Sequence, residues 1–213
     1  MSAPAVTHLL YLHGFRSSPQ STKARQMAAW VAAHRPDVTW CCPQLPPSPR
    51  EAMALIAQHV ADWPLGQRAV IGSSLGGFYA TALAERGADW RAVLLNPAVD
   101  PARDLAGYIG ETKAWHSDEQ FYFRSEYIAE LQALTPQALS RPERYFAVIA
   151  KGDELLDWRE MSARYAGCRI KLLEGGDHAL SDFEQQHLPD VTAFLGLSTS
   201  GSASTRRVPR PRR

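Results

Sequence analysis

Ser74 stands at the centre of the segment Gly72-Ser73-Ser74-Leu75-Gly76, which matches the pattern G-x-S-x-G. In such a motif the serine lies on a strained turn from a strand into a helix, and glycines are needed because side chains two residues to either side would collide. An apolar run precedes the motif and an amphipathic helix pattern follows it, as this turn requires. We therefore predict that Ser74 is a catalytic nucleophile. The alternative is a small-residue turn that only packs helix against strand.

A serine hydroxyl needs a general base, and the chain has seven histidines. His178 is the best placed, because it lies in a glycine-rich loop after the last predicted strand. The chain order serine, acid, histidine is typical of this arrangement. His187 falls on the closing helix pattern and is expected to be solvated. His13 follows the first strand and is expected to brace its loop by hydrogen bonds rather than to act as a second base.

The third member of a triad is a carboxylate that orients the imidazole and stabilises its cation. Asp153 is predicted in this role, because it comes directly after the fifth predicted strand. Asp157 is the alternative acid, although it could instead cap the helix that starts there. Glu154 is a weaker candidate, and Asp177 is too near His178 in sequence to reach its far nitrogen.

An oxyanion hole is expected from two backbone N–H groups. One belongs to Leu75, the residue after the nucleophile. The other is predicted to be that of Phe15, in the loop after the first strand, where Gly14 lets the backbone come close.

Between these residues, short apolar runs alternate with segments whose apolar residues recur at helical spacing. This pattern is typical of a parallel sheet covered by helices. The predicted class is α/β, with a mostly parallel sheet of about six strands, helices on both faces and a small cap insertion. The predicted strands are 8–12, 38–42, 68–71, 91–95, 145–150 and 168–173, and the clearest helices are 21–34, 157–166 and 181–195.

Residues 100–141 interrupt the alternation and are interpreted as a cap with helices of its own, because a structureless loop of this length is uncommon in a compact domain. Its aromatic residues could line an acyl pocket or form the core of the cap. The aromatic residues of the cap are Trp115, Phe121, Tyr122, Phe123 and Tyr127.

The domain is predicted to span residues 1–197, and 198–213 is predicted to be a disordered basic tail.

Charge and composition exclude several classes of protein. The net charge is +1, but the tail holds five of the 23 basic residues, which leaves 18 basic against 22 acidic residues in the body. A nucleic-acid partner is therefore not expected.

Three cysteines, two of them adjacent, do not make a disulfide framework. No signal peptide and no membrane-spanning run is found, so a cytoplasmic location is expected. No cofactor motif or metal cluster is apparent, and the sequence carries no signal of an oligomeric state.

Five segments occur in the order found in a known family: HGF after the first strand, GSSLGGFYA, LLNPAV, KGDELLDWR and EGGDHAL. Together they make residues 8–197 resemble the YqiA-like small bacterial esterases, a branch of the α/β-hydrolases. The resemblance implies an α/β-hydrolase fold and esterase or acyl-CoA thioesterase activity. It places nucleophile, acid and base at Ser74, Asp153 and His178. The central cap sequence and the basic tail are not part of the match.

The expected activity is therefore hydrolysis of a small-molecule ester or thioester through an acyl-enzyme intermediate. Amide or peptide hydrolysis on the same triad is one alternative. A non-catalytic binding protein on the same scaffold is another, and it would predict an incomplete triad.

Overall fold

A parallel sheet of six strands forms the centre of the protein, whose computed structural model describes residues 5–87, 89–113 and 120–197. Its strand order is β2-β1-β3-β4-β7-β8, and every neighbouring pair is parallel. Trp115 and the predicted tail lie outside the described residues. The strands are β1 (His8–Leu12), β2 (Thr39–Cys41), β3 (Arg68–Ser73), β4 (Arg91–Leu95), β7 (Tyr145–Ala150) and β8 (Arg169–Leu173).

Helices cover both faces of this sheet, which confirms the predicted fold class. One hydrophobic core packs α1 and α7 against the sheet, and the other packs α2, α3 and α6. Because both faces are covered, the central strands are continuous apolar runs; all six residues of β7 are buried. The helices are α1 (Thr22–His34), α2 (Pro49–Val60), α3 (Leu75–Arg86), α6 (Trp158–Arg164) and α7 (Leu188–Phe194). None of the described helices is long and apolar enough to cross a bilayer.

The strand order reverses between β1 and β3, which lie side by side at the centre of the sheet. At such a point the loops leaving the carboxyl ends of the two strands diverge and open a crevice. The loop after β1 carries Gly14 and Phe15, and β3 leads directly into Ser74. The topology therefore brings the two predicted halves of the oxyanion hole to one place.

The described part of the cap contains short helices, as expected, but also a hairpin that the sequence analysis missed. Helix α4 (Pro101–Asp104) is followed by the antiparallel pair β5 (Gly110–Lys113) and β6 (Gln120–Phe123), and then by α5 (Glu126–Leu134). Strands of four residues are too short for a clear alternating pattern. Phe123 is buried and makes edge-to-face contacts with Phe15 and Tyr127, so this aromatic residue belongs to the core beneath the cap.

The closing segment differs from the single helix predicted over 181–195. A π-helical turn at Phe183–His187 precedes α7, and Pro189 occupies the first turn of α7. Proline has no N–H to donate, so it favours a new helix start over continuation of an existing helix. The prediction that His187 is solvated is wrong. The residue is buried, and its Nε2 lies 3.1 Å from Asp182 Oδ1.

Candidate active site

Ser74 lies on a tight turn between β3 and α3, with φ 55° and ψ −122°. A non-glycine residue at positive φ is strained and persists only where its surroundings hold it. Here the Ser74 N–H donates to Leu95 O at 3.0 Å, and Ala98 N–H donates to Ser74 O at 3.0 Å. The glycines make the turn possible: a Cβ at Gly72 would lie 2.2 Å from Gly76 O, and one at Gly76 would lie 2.0 Å from Leu12 O.

The loop after β1 approaches the serine closely. A Cβ at Gly14 would lie 3.2 Å from Ser74 Cβ and 3.6 Å from its Oγ, so the backbone of the loop passes close to the hydroxyl at Gly14. Leu75 is the first residue of α3, and the first N–H groups of a helix have no partner within it. Phe15 and Leu75 both line the cavity that contains Ser74.

His13 braces this loop. Leu45 N–H donates to its Nε2 at 3.1 Å, so Nε2 is the acceptor and the neutral ring carries its proton on Nδ1. Nδ1 in turn lies 3.0 Å from Gly14 O and donates to it. Both ring nitrogens are thus engaged in holding the backbone of the loop.

His178 and Asp153 meet at this edge of the sheet. His178 Nδ1 lies 2.8 Å from Asp153 Oδ2, and the Asp153 side chain is fully buried. Its other oxygen, Oδ1, accepts from the N–H groups of Leu155 and Leu156, each at 2.9 Å. The carboxylate is therefore held by three donors. Its bond to Nδ1 leaves Nε2 as the basic nitrogen of a neutral imidazole.

Two residues outside the predicted triad hold the His178 loop. Glu154 Oε2 accepts from His178 N–H at 2.9 Å. Asn96 is completely buried, donates from Nδ2 to Asp177 O at 2.9 Å and His178 O at 3.2 Å, and accepts at Oδ1 from Ala150 N–H at 2.8 Å. The sequence analysis missed Asn96. An asparagine directly after a buried strand was the available signal, because asparagine tolerates the left-handed backbone found here, φ 41°.

The other carboxylates considered from sequence have different partners. Asp157 is the N-cap of α6 and accepts from Arg159 N–H at 2.8 Å. Asp177 accepts from the N–H and hydroxyl of Ser181, which lower the pKa of its carboxyl. None of these three hydrogen bonds involves the imidazole of His178.

Ser74 and His178 line one cavity of about 490 Å³. In the described chain the hydrogen bonds of His178 run to Asp153, Glu154 and Asn96. None of these hydrogen bonds reaches Ser74. Two cap residues absent from the sequence analysis, Leu105 and Tyr108, also line this cavity.

The described side chains include no group of three or more His, Cys, Asp or Glu residues that could hold a metal ion. The arrangement brings a strained serine and an imidazole held by a buried carboxylate to one cavity, which Phe15 and Leu75 also line.

A family model described as "Uncharacterised protein family (UPF0227)" matches residues 8–196 of the chain. The match spans nearly the whole region over which the sequence resembles the YqiA-like family and confirms that resemblance.

Several solved structures have the same fold. A structure described as LipS and LipT, two metagenome-derived lipolytic enzymes, has a TM-score of 0.64 at 19% identity over 91% of this chain and 96% of that one. Est1E from Butyrivibrio proteoclasticus with ferulic acid bound has a TM-score of 0.63 at 15% identity over 90% and 87%. Mouse alpha/beta hydrolase domain-containing protein 10 has a TM-score of 0.63 at 15% identity over 89% and 85%. The fold is therefore that of the α/β-hydrolases.

Proposed function

The chain belongs to the uncharacterised protein family UPF0227, and we propose that it is a serine hydrolase that cleaves carboxylic esters or acyl thioesters. The observation that carries this proposal is the bond of 2.8 Å between His178 and the fully buried Asp153 carboxylate, beside the cavity that also contains Ser74. A buried carboxylate on Nδ1 leaves Nε2 as a proton acceptor in the cavity that Ser74 also lines, and a serine nucleophile needs such an acceptor.

In the acylation step, Ser74 Oγ attacks the acyl carbon while His178 Nε2 takes its proton. Asp153 holds the imidazole in the required tautomer and stabilises the imidazolium. The N–H groups of Phe15 and Leu75 bind the oxyanion; removal of one such donor typically costs about 100- to 1,000-fold in rate. His178 then gives the proton to the departing alcohol or thiol, and the acyl group remains on Ser74.

In the deacylation step, His178 removes a proton from a water molecule that attacks the same acyl carbon. The serine leaves with that proton and the free acid departs. Leu105 and Tyr108 of the cap provide apolar lining for the acyl group. The names of two structural neighbours, Est1E and the lipolytic LipS and LipT, favour an ester over an amide as the bond cleaved.

Labelling with a fluorophosphonate probe tests this proposal, with the modified peptide identified by mass spectrometry. Wild type should label on Ser74, Ser74→Ala should not label, and Ser73→Ala should still label at Ser74. Folding of each variant is checked by circular dichroism. A folded wild type that stays unlabelled would contradict the proposal and favour a non-catalytic binding protein.

A further inference from the structure

The cavity around Ser74 has two chemically different linings. The cap and the loop after β7 contribute apolar side chains, whereas the loop after β1 and the first turn of α1 contribute cations and hydroxyls. The apolar group comprises Leu105, Tyr108, Leu155 and Leu156, and the polar group comprises Arg16, Ser17, Ser21, Thr22 and Lys23.

Lys23 brings an ammonium group next to the candidate base. Its Nζ donates to the carbonyl of Ala179, the residue that follows His178. Burial lowers the pKa of Lys23 to about 8, although the carboxylates of Asp177 and Asp153 oppose that shift. Lys23 is therefore largely charged at neutral pH. An ammonium has three donors, and the Ala179 carbonyl takes one of them.

The first turn of α1 adds to the positive potential. Ser21 is the N-cap of this 13-residue helix, but its side chain makes no capping hydrogen bond, and the first turn contains no acidic residue. By contrast, Ser48 caps α2 by accepting from Glu51 N–H at 3.2 Å. An uncapped N-terminus presents N–H groups and a partial positive charge to whatever lies in front of it.

Arg16, the residue after Phe15, adds a second cation to the lining of the cavity. Asp104 also lines the cavity, but it is paired with Arg103 at 2.7 Å, and burial raises the pKa of its carboxyl. The charge of Asp104 is thus already paired with that of Arg103.

We propose that Arg16, Lys23 and the first turn of α1 form an anion subsite that binds a carboxylate carried by the leaving group of the substrate. The leaving-group side is assigned because Lys23 contacts the loop of His178, the residue that protonates the leaving group. The substrate class is thus an ester with an apolar acyl group and an anionic alcohol or phenol. This inference rests on the proposed serine hydrolase function.

Binding to Ser74→Ala protein tests the subsite without turnover. Isothermal titration compares 3-acetoxybenzoate with methyl 3-acetoxybenzoate, which has the same shape around the ester but no charge. The anion should bind at least about tenfold more tightly, the effect of a charge-assisted hydrogen bond. Lys23→Met in the same background should remove most of the difference, and Lys23→Arg should keep most of it. Arg25→Met, an exposed charge on the same helix, is the matched control and should keep all of it.

Turnover provides the second readout. The ratio of kcat/KM for the anionic ester to that for its methyl ester should fall about tenfold in Lys23→Met. It should also fall in Arg16→Asn, which suits the positive φ of 58° at that position. If Lys23 only holds the His178 loop, both esters will slow equally and the ratio will not change, which overturns the subsite. A Lys23-dependent preference for monophenyl succinate, whose carboxylate is on the acyl side, would overturn the leaving-group assignment.

The two proposals fail in different ways. Loss of all ester hydrolysis together with an unlabelled Ser74 contradicts the serine hydrolase. The titrations on Ser74→Ala still decide the anion subsite in that case, since equal affinity for the anionic and neutral compounds overturns it.

Discussion

Replacing Asn96 by alanine should both destabilise the protein and leave the loop of His178, the candidate general base, less firmly held. The Asn96 side chain is completely buried and joins the ends of β4 and β7 to the loop of His178 through three hydrogen bonds. Alanine makes none of these bonds and is too small to close the gap.

The expected loss in the free energy of unfolding follows from the hydrogen-bond partners that Asn96 no longer provides. The buried N–H of Ala150 would be left without its acceptor, which costs about 1–3 kcal/mol, and each of the two carbonyl bonds is worth about 1 kcal/mol. Alanine at φ 41° adds about 1 kcal/mol of backbone strain. The total is about 4–6 kcal/mol, a large part of the stability of an ordinary domain. For a chain of this length it corresponds to a drop in Tm of about 10–20 °C.

Thermal unfolding followed by circular dichroism measures the change, with Asn96→Gly as the matched variant. Glycine loses the same hydrogen bonds but tolerates positive φ, so its Tm should lie a few degrees above that of Asn96→Ala. At a temperature where all three proteins are folded, both variants should label at Ser74 more slowly than wild type. An Asn96→Ala protein that unfolds within about 3 °C of wild type and labels at the wild-type rate would refute the reasoning.

Two further predictions concern charge at the site. Asp153→Asn should reduce ester turnover by about 10⁴-fold because the imidazole loses its required tautomer. Asp157→Asn should leave turnover nearly unchanged and destabilise α6 by about 1 kcal/mol or less. If instead Asp157→Asn abolishes turnover and Asp153→Asn does not, Asp157 is the acid of the triad. The preference for the anionic ester should fall as pH rises through about 8, since Lys23 is charged below its lowered pKa and neutral above it. A preference that is constant from pH 7 to pH 9.5 would contradict this.

Much of the fold could be predicted from local patterns. The bounds of all six strands are predicted to within two residues. The four inner strands are mostly apolar runs buried in the sheet, whereas the edge strands β2 and β8 are partly exposed. The short cap hairpin and the break before α7 could not be predicted in the same way. Four-residue strands carry little periodicity, and the apolar positions of residues 181–195 do not reveal that a π-helical turn precedes a new helix there.

The sequence by itself determined which residues could do chemistry: a serine between glycines, a carboxylate after the fifth strand of the sheet and a histidine in a glycine-rich loop. Spacing along the chain suffices to find these residues, because the strand-to-helix turn that carries Ser74 is a local structure. The order of the loops follows from the order of the strands. Only the tertiary structure decided what surrounds these residues. It placed Asn96 against the loop of His178 although 82 positions separate them, and Lys23 against Ala179 across 156 positions. Which segments distant in sequence come into contact decides the burial of a side chain, its ion pairs and the electrostatic potential of a cavity. Periodic patterns along the chain do not predict these contacts.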